Sequence, residues 1–203
     1  MTANLSWYPM DAKVPGVALQ STQTVPSSTG AISAQTGATG FELPAAGANL
    51  GDHIQGNNNS LWVFVKASTT VTSGNAVIWD SGFNANNATA TLAVTAKGIG
   101  IAQFYTTGLG ATSIQSTLNV ATAQPGDFFW VATQGQGLIV NMQATTSVLN
   151  PLFLVAGSPG QLAPTAATAR VNGLFAGSAS AIAGSNTTTD AFSETPMVIT
   201  TSA

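Results

Sequence analysis

Short apolar segments separated by turn-forming residues constrain the fold of this chain more than any other feature. Residues 57–80 read NNNSLWVFVKASTTVTSGNAVIWD and place two apolar segments around a turn at residues 72–75. β-Branched and aromatic residues dominate both segments, and such residues favour strands. We therefore expect residues 61–65 and 76–79 to pair as a β-hairpin.

Similar short apolar segments recur along the rest of the chain. They lie at residues 99–105, 128–133, 138–142, 151–155, 170–175 and 197–200. Gln and Gly at 134–137 are expected to separate two of these strands, and the Ser/Thr/Asn/Ala-rich stretches 84–97 and 176–193 are expected to be long loops. The best helix candidate, residues 114–123, is too rich in Thr and Asn to favour a helix. The pattern predicts an all-β protein, a compact β-barrel or β-sandwich of short antiparallel strands.

The first 50 residues differ from the rest of the chain in amino-acid composition. They are rich in Ser, Thr, Gly and Ala, and prolines at positions 9, 15, 26 and 44 interrupt helices and strand ladders. We expect an extended N-terminal arm over residues 1–50 and the barrel or sandwich domain over residues 51–203. Trp7 and Tyr8 lie in this arm without a local strand to bury them. They are either anchors for a partner surface or fold back onto the chain's own barrel.

Charged residues make up only 5% of the chain, whereas about a quarter is typical of soluble domains. The polar groups on the surface must therefore be mostly hydroxyls and amides. Electrostatic repulsion between two molecules with such surfaces is weak, so the composition suits a subunit of an assembly. An Ala/Thr-rich secreted domain is the alternative. The four scattered cations and the net charge of −3 argue against nucleic-acid and basic membrane-surface binding. No apolar run approaches the roughly 20 residues that span a bilayer, so we expect a soluble protein.

Reactive side chains are scarce. His53 is the single histidine, there is no cysteine, and no Gly-x-Ser-x-Gly motif accompanies the histidine. The carboxylates are isolated in sequence; Asp127 is expected to be a turn residue before a strand. Asp52 with residues 57–59 could supply calcium ligands, but a turn fits those asparagines better. Gly98 and Gly100 are expected to mark a bulge or a close backbone approach. We expect no enzymatic activity, no cofactor and no metal.

The aromatic residues of the expected strands alternate in a regular way. Strand geometry puts Trp62 and Phe64 on one face, and it does the same for Phe128 and Trp130. A hydrophobic core explains this spacing. A platform that stacks on sugar rings is the alternative, and it would indicate a carbohydrate-binding module.

Several segments, in order, resemble the small capsid decoration (cement or head-stabilising) proteins of tailed bacteriophages. The resemblance covers most of the chain and includes KVPGVAL, GDHIQG with LWVFVKA, TSGNAV, GIGIA, DFFWVATQG, PLFLV with its GSPG turn, and RVNG, at residues 13–19, 51–56, 61–67, 72–77, 98–102, 127–135, 151–160 and 170–173. This chain departs from that group in its very low charge.

The resemblance implies an inert all-β protein that binds the outer surface of the virion capsid and stiffens it. Its partner would be the major capsid protein, and it would form a homo-oligomer, with a trimer favoured because the group assembles around local threefold axes. The candidate partner contacts are Trp7, Tyr8, Val14 and Pro15. A phage fibre, host-adhesion or carbohydrate-binding β module is the alternative function.

Overall fold

The structure is a computed structural model, and it describes most of the chain from residue 49 onward. The described residues are 22–23, 49–56, 59–93, 95–103, 122–165, 169–178 and 187–201. They are nearly all β with one short helix, which confirms the all-β class and its β-barrel core. Most of the expected arm, residues 1–50, lies outside them.

The strands are numbered in chain order. They are β1 (Thr22–Gln23), β2 (His53–Gly56), β3 (Ser60–Ala67), β4 (Val71–Thr72), β5 (Ala76–Trp79), β6 (Asn84–Asn87), β7 (Gly98–Ala102), β8 (Thr122–Ala123), β9 (Phe128–Met142), β10 (Pro151–Leu154), β11 (Leu162–Ala163), β12 (Ala169–Ala176) and β13 (Thr187–Thr201). The helix, α1 (Ala90–Ala93), lies between β6 and β7.

Two closed rings of strands share the long strand β9. In the first ring the N-terminal half of β9 pairs antiparallel with β3 and β7, and β7 continues through β5 and β6. β6 then closes the ring on β3 in parallel. In the second ring the C-terminal half of β9 pairs with β13, followed by β12, β10 and β11, and β11 returns to β9 at Met142. Each ring therefore contains five strands.

The core follows from strand alternation across these rings. One buried cluster takes residues from all five strands of the first ring, among them Val65, Val77 and Phe129. A larger cluster joins the opposite faces of β3 and β9 to the strands of the second ring. Trp62, Phe64 and Trp130 are buried in that larger cluster and Phe128 packs against it. The two predicted same-face aromatic pairs are therefore confirmed.

The expected break in the middle of β9 is wrong. β9 runs without interruption for 15 residues. Gly137 has φ 71°, and the register with β13 shifts between Ala191 and Phe192. The glycine therefore produces a bulge instead of a turn, which lets one strand serve both rings.

The expected hairpin between residues 61–65 and 76–79 is also wrong. The turn exists, since the Asn75 N–H donates to the Thr72 carbonyl at 3.1 Å. However, β3 pairs with β2, β6 and β9, while β5 pairs with β6 and β7. The chain leaves β3 and forms β4, which pairs with the distant β8, so β5 enters the ring on the far side of β6.

Two stretches expected to be loops contain regular structure. Residues 84–97 hold β6 and α1, and β13 begins inside the stretch 176–193. Asn87 shows why polar residues fit here, because its side-chain amide bonds to Asn75 and to the Thr70 carbonyl. Gly98 and Gly100 confirm the predicted close approach: a Cβ on Gly100 would lie 2.4 Å from the carbonyl oxygen of Ala132.

Candidate interaction surface

The candidate contacts predicted from sequence lie outside the described residues. Trp7, Tyr8, Val14 and Pro15 therefore remain predictions. The described residues of the arm are β1 and residues 49–50. β1 pairs antiparallel with Phe128 and Phe129 at the start of β9. It lies beside the end of β7, whose last residue pairs with Val131. The arm therefore contributes a short strand that pairs with the first residues of β9.

The side chains with the best acid–base or metal-binding chemistry do not form a reactive site in the described part of the chain. His53 is exposed on β2, and the neighbouring Asp52 carboxylate accepts a hydrogen bond from the Asn49 N–H at 2.7 Å. Among the described residues, no three His, Cys, Asp or Glu side chains come together in a group that could hold a metal. The absence of a cofactor and of catalysis remains a prediction.

Two carboxylates build turns. The buried Asp127 accepts a hydrogen bond from the Gln124 N–H at 2.7 Å and returns its own N–H to the Gln124 carbonyl at 3.0 Å, which confirms it as a turn residue before β9. Burial raises the pKa of Asp127, against the lowering effect of the Gln124 N–H. Asp80 accepts the N–H groups of Gly82 and Asn84 at 2.8 and 3.0 Å in the β5–β6 turn. These hydrogen bonds, led by that of Asn84, lower the pKa of Asp80.

Asp80 gives a pH-dependent prediction. Because its pKa is lowered on folding, its carboxylate stabilises the fold at neutral pH, and that contribution is lost as the pH falls from the ordinary value of 3.8 through the folded-state pKa. We expect Asp80→Ala to cost about 1 kcal/mol at pH near 7 and less in acid. Urea unfolding at both pH values measures the difference, with Asp80→Asn as the acceptor-preserving control. An equal cost at both pH values would contradict the role of the charge.

A row of outward-facing apolar residues crosses the second ring. We define the outer aromatic face as Pro151 and Phe153 on β10, Phe175 on β12 and Phe192 on β13, all half-buried. Pro151 pairs with Phe175 and Phe175 pairs with Phe192, so the apolar row spans three strands. Phe192 in turn pairs with the exposed Gln136 of β9. The rings of Phe175 and Phe192 stack with centroids 5.8 Å apart.

Strand alternation makes this face point outward. The neighbours of these residues along each strand, such as Leu152, Leu174 and Ala191, are fully buried in the core. Alternate residues must then face away from it. The outward positions of an antiparallel sheet with one buried face are usually polar. Contiguous outward apolar residues instead indicate a contact surface for another molecule.

Three exposed charges accompany the outer aromatic face. Arg170 on β12 pairs with Phe153, while Asp190 and Glu194 lie two residues before and two residues after Phe192 on β13. No salt bridge joins any of the three to another charged residue in the described part of the chain. The face therefore presents charges of both signs that have no ionic partner among the described residues.

The tryptophans support the core interpretation. Trp62, Trp79 and Trp130 are 0%, 6% and 1% exposed, so none of the three is available to stack on a sugar. Sequence reasoning missed the outer aromatic face for two reasons. Phe192 lay in a stretch expected to be a loop, and Phe175 could not be paired with it without the register of β12 and β13. The signal that was present is Pro151-Leu152-Phe153-Leu154, which is apolar at every position.

Comparison with known protein families found no family model that matches this chain, and comparison with curated proteins found no significant match. Within the described residues, no helix has the length and apolar character needed to cross a bilayer.

Proposed function

We propose that this protein is a non-catalytic virion subunit that decorates and stabilises the capsid of a tailed bacteriophage. It binds the outer capsid surface and bridges adjacent subunits of the major capsid protein. The observation that carries the proposal is the outer aromatic face, an outward-facing apolar row on a closed β scaffold, which supports contact with another protein. The sequence resemblance to phage decoration proteins supplies the virion context.

The scaffold suits a mechanical role because its two rings are tied together by buried amides. The Asn141 side-chain amide donates to the Ser73 carbonyl at 2.8 Å and to the side-chain oxygen of Asn75 at 2.7 Å. Asn75 in turn donates to Asn87 at 2.9 Å. Satisfied buried polar networks favour one defined arrangement of the elements they join. The network fixes the first ring against the second, as a stiffening subunit requires.

The protein stabilises the capsid through the summed contacts of many copies. Each copy contributes modest apolar and amide contacts to the capsid, and these contacts sum over many copies on one shell. Because so few residues are charged, exposed ion pairs contribute little, and binding to the capsid depends weakly on salt.

Binding to purified expanded shells of the phage that encodes the chain tests this proposal. The intact protein is expected to sediment with the shells at a fixed number of copies per shell, over a wide range of NaCl concentration. Removal of residues 1–20, which keeps β1 in place, is expected to reduce the bound copies because it removes Trp7, Tyr8, Val14 and Pro15.

Leu92→Ser, at a 43% exposed position on α1, is the matched control and should bind as the intact protein does. Failure of the intact protein to bind the shells would contradict the proposed function. Undiminished binding after removal of residues 1–20 would contradict the role of the arm alone.

A carbohydrate-binding or host-adhesion module is the second candidate, and the stacked pair Phe175–Phe192 is the observation that favours it. Half-exposed aromatic rings can stack on the apolar face of a sugar. Saccharide titration followed by NMR of the phenylalanine ring signals tests this function. Saturable shifts confined to these two rings would support it over capsid decoration.

A further inference from the structure

We propose that Asn172 is a site of spontaneous deamidation, through a cyclic imide that it forms with Gly173. The dipeptide Asn-Gly occurs once in the chain, at these two residues. Glycine favours this reaction because a residue without a side chain lets its backbone nitrogen approach the asparagine side chain closely. The modification needs no partner and does not depend on the proposed role on a capsid.

Gly173 lies where the ladder between β12 and β13 is interrupted. Asn172 pairs with Val198, and the next residue of β12 in the register is Leu174, whose partner lies five positions earlier on β13. The hydrogen bonds of a regular ladder hold each peptide in place, whereas a bulge leaves residues outside the pairing. The Gly173 nitrogen therefore lies outside the regular pairing on either side of it.

The local geometry also requires glycine at this position. Gly173 has φ 85°, in the left-handed region that glycine adopts without strain. A Cβ there would lie 3.1 Å from the Thr195 Oγ1 and 3.4 Å from the Ser193 Oγ. The bulge thus keeps a glycine directly after Asn172, and with it the reactive pair.

The reaction uses only these two residues and water. The Gly173 nitrogen attacks Cγ of Asn172, the new N–Cγ bond forms, and the Cγ–Nδ2 bond breaks. The side-chain amide leaves as ammonia with the proton lost by the glycine nitrogen. Both residues are half-buried, so water can reach the imide. Water that adds at Cγ gives aspartate, and water that adds at the backbone carbonyl of residue 172 gives isoaspartate, in which the main chain runs through Cγ.

Other described asparagines precede nitrogens that are less able to react. Asn87 precedes Ala88, whose N–H donates to the Ala76 carbonyl at 2.8 Å. Asn150 precedes Pro151, whose nitrogen carries no hydrogen to lose. These two asparagines provide internal comparisons within the same folded molecule.

Both products change β12. Each adds one negative charge to a chain whose net charge is −3 and whose charged residues make up only 5%. Isoaspartate also lengthens the main chain of a strand that is paired on both sides, with β10 and with β13. We therefore expect protein enriched in isoaspartate at position 172 to unfold at a lower urea concentration than the unmodified protein.

Mass spectrometry of the intact folded protein after incubation in mildly alkaline water that carries a heavy oxygen isotope tests the site. Asn172 is expected to become aspartate and isoaspartate with one labelled oxygen, at a rate within about tenfold of that in an unfolded synthetic peptide of residues 169–176. Isoaspartate is detected independently by enzymatic methylation of its carboxylate. Digestion in mildly acidic, unlabelled buffer separates the reaction from deamidation during sample preparation, which would not incorporate the label.

Asn172→Gln is the matched control. It keeps a side-chain amide but would have to close a larger and less favourable ring, so the label should no longer enter at this position. Asn172 that stays intact in the folded protein while the peptide reacts would overturn the proposal. Labelling of Asn87 as fast as that of Asn172 would also overturn it, because the bulge would then confer no selectivity. Neither comparison requires the glutamine variant to fold.

Discussion

Replacing Trp130 with alanine is expected to lower the free energy of unfolding by about 3–5 kcal/mol. Trp130 lies on β9, is 1% exposed, and packs its ring 5.0 Å from that of Phe64 in the larger core cluster. Alanine would leave a cavity in the larger core cluster, next to Phe64, on the strand that the two rings share. Urea unfolding followed by far-UV circular dichroism measures the loss without depending on tryptophan fluorescence.

Trp130→Phe is the matched control. The buried Nε1 of Trp130 has no hydrogen-bond partner among the described residues, so phenylalanine removes volume without breaking a hydrogen bond to any of them. We expect a clearly smaller cost than that of the alanine variant, because phenylalanine leaves a smaller cavity. A phenylalanine variant as unstable as the alanine variant would show that the indole N–H contributes to the fold and that packing alone does not explain this residue.

Replacing Gln103 with leucine is expected to cost about 2–4 kcal/mol. The side-chain amide of this fully buried residue takes the place of a strand beside the second half of β9. Its Nε2 donates to the Ile139 carbonyl at 2.6 Å, and its Oε1 accepts the Ile139 N–H at 3.0 Å. Leucine has a similar side-chain volume, but it leaves the N–H and the carbonyl of Ile139 without this hydrogen-bond partner.

Hydrogen exchange at the Ile139 amide measures the effect locally, and it should become faster in the leucine variant. Gln103→Glu is the informative companion. A protonated carboxyl donates and accepts as the amide does, whereas a buried carboxylate only accepts, so the stability of this variant should rise as the pH falls. A leucine variant as stable as the unchanged protein would contradict the bridging role of Gln103.

The sequence predicted local strand character well because it depends on residues close together in the chain. Ala76–Trp79 forms a strand at the expected positions, and the face shared by Trp62 and Phe64 followed from a period of two residues. The aromatic strand at residues 128–133 was also located correctly, although it proved to be half of a longer one.

Pairing could not be read in the same way, because it depends on contacts between distant residues. The hairpin prediction for residues 61–65 and 76–79 used only a local turn. It had no means of showing that β3 would instead pair with β9, whose Trp130 lies opposite Phe64. The same limit hid the outer aromatic face, since Phe175 and Phe192 become neighbours only through the register of β12 and β13. Gln103 escaped notice because a side chain that completes a backbone ladder has no sequence signature.

We propose that this protein acts when many copies bind the outer surface of a capsid. If a phage encodes the chain, as we propose, a cryo-electron microscopy reconstruction of the purified virions of that phage tests this most directly. We predict density for two fused five-stranded rings at regularly repeated positions on the outer surface of the head. Heads without this density, together with density for the protein on the tail or its absence from the particle, would contradict the claim.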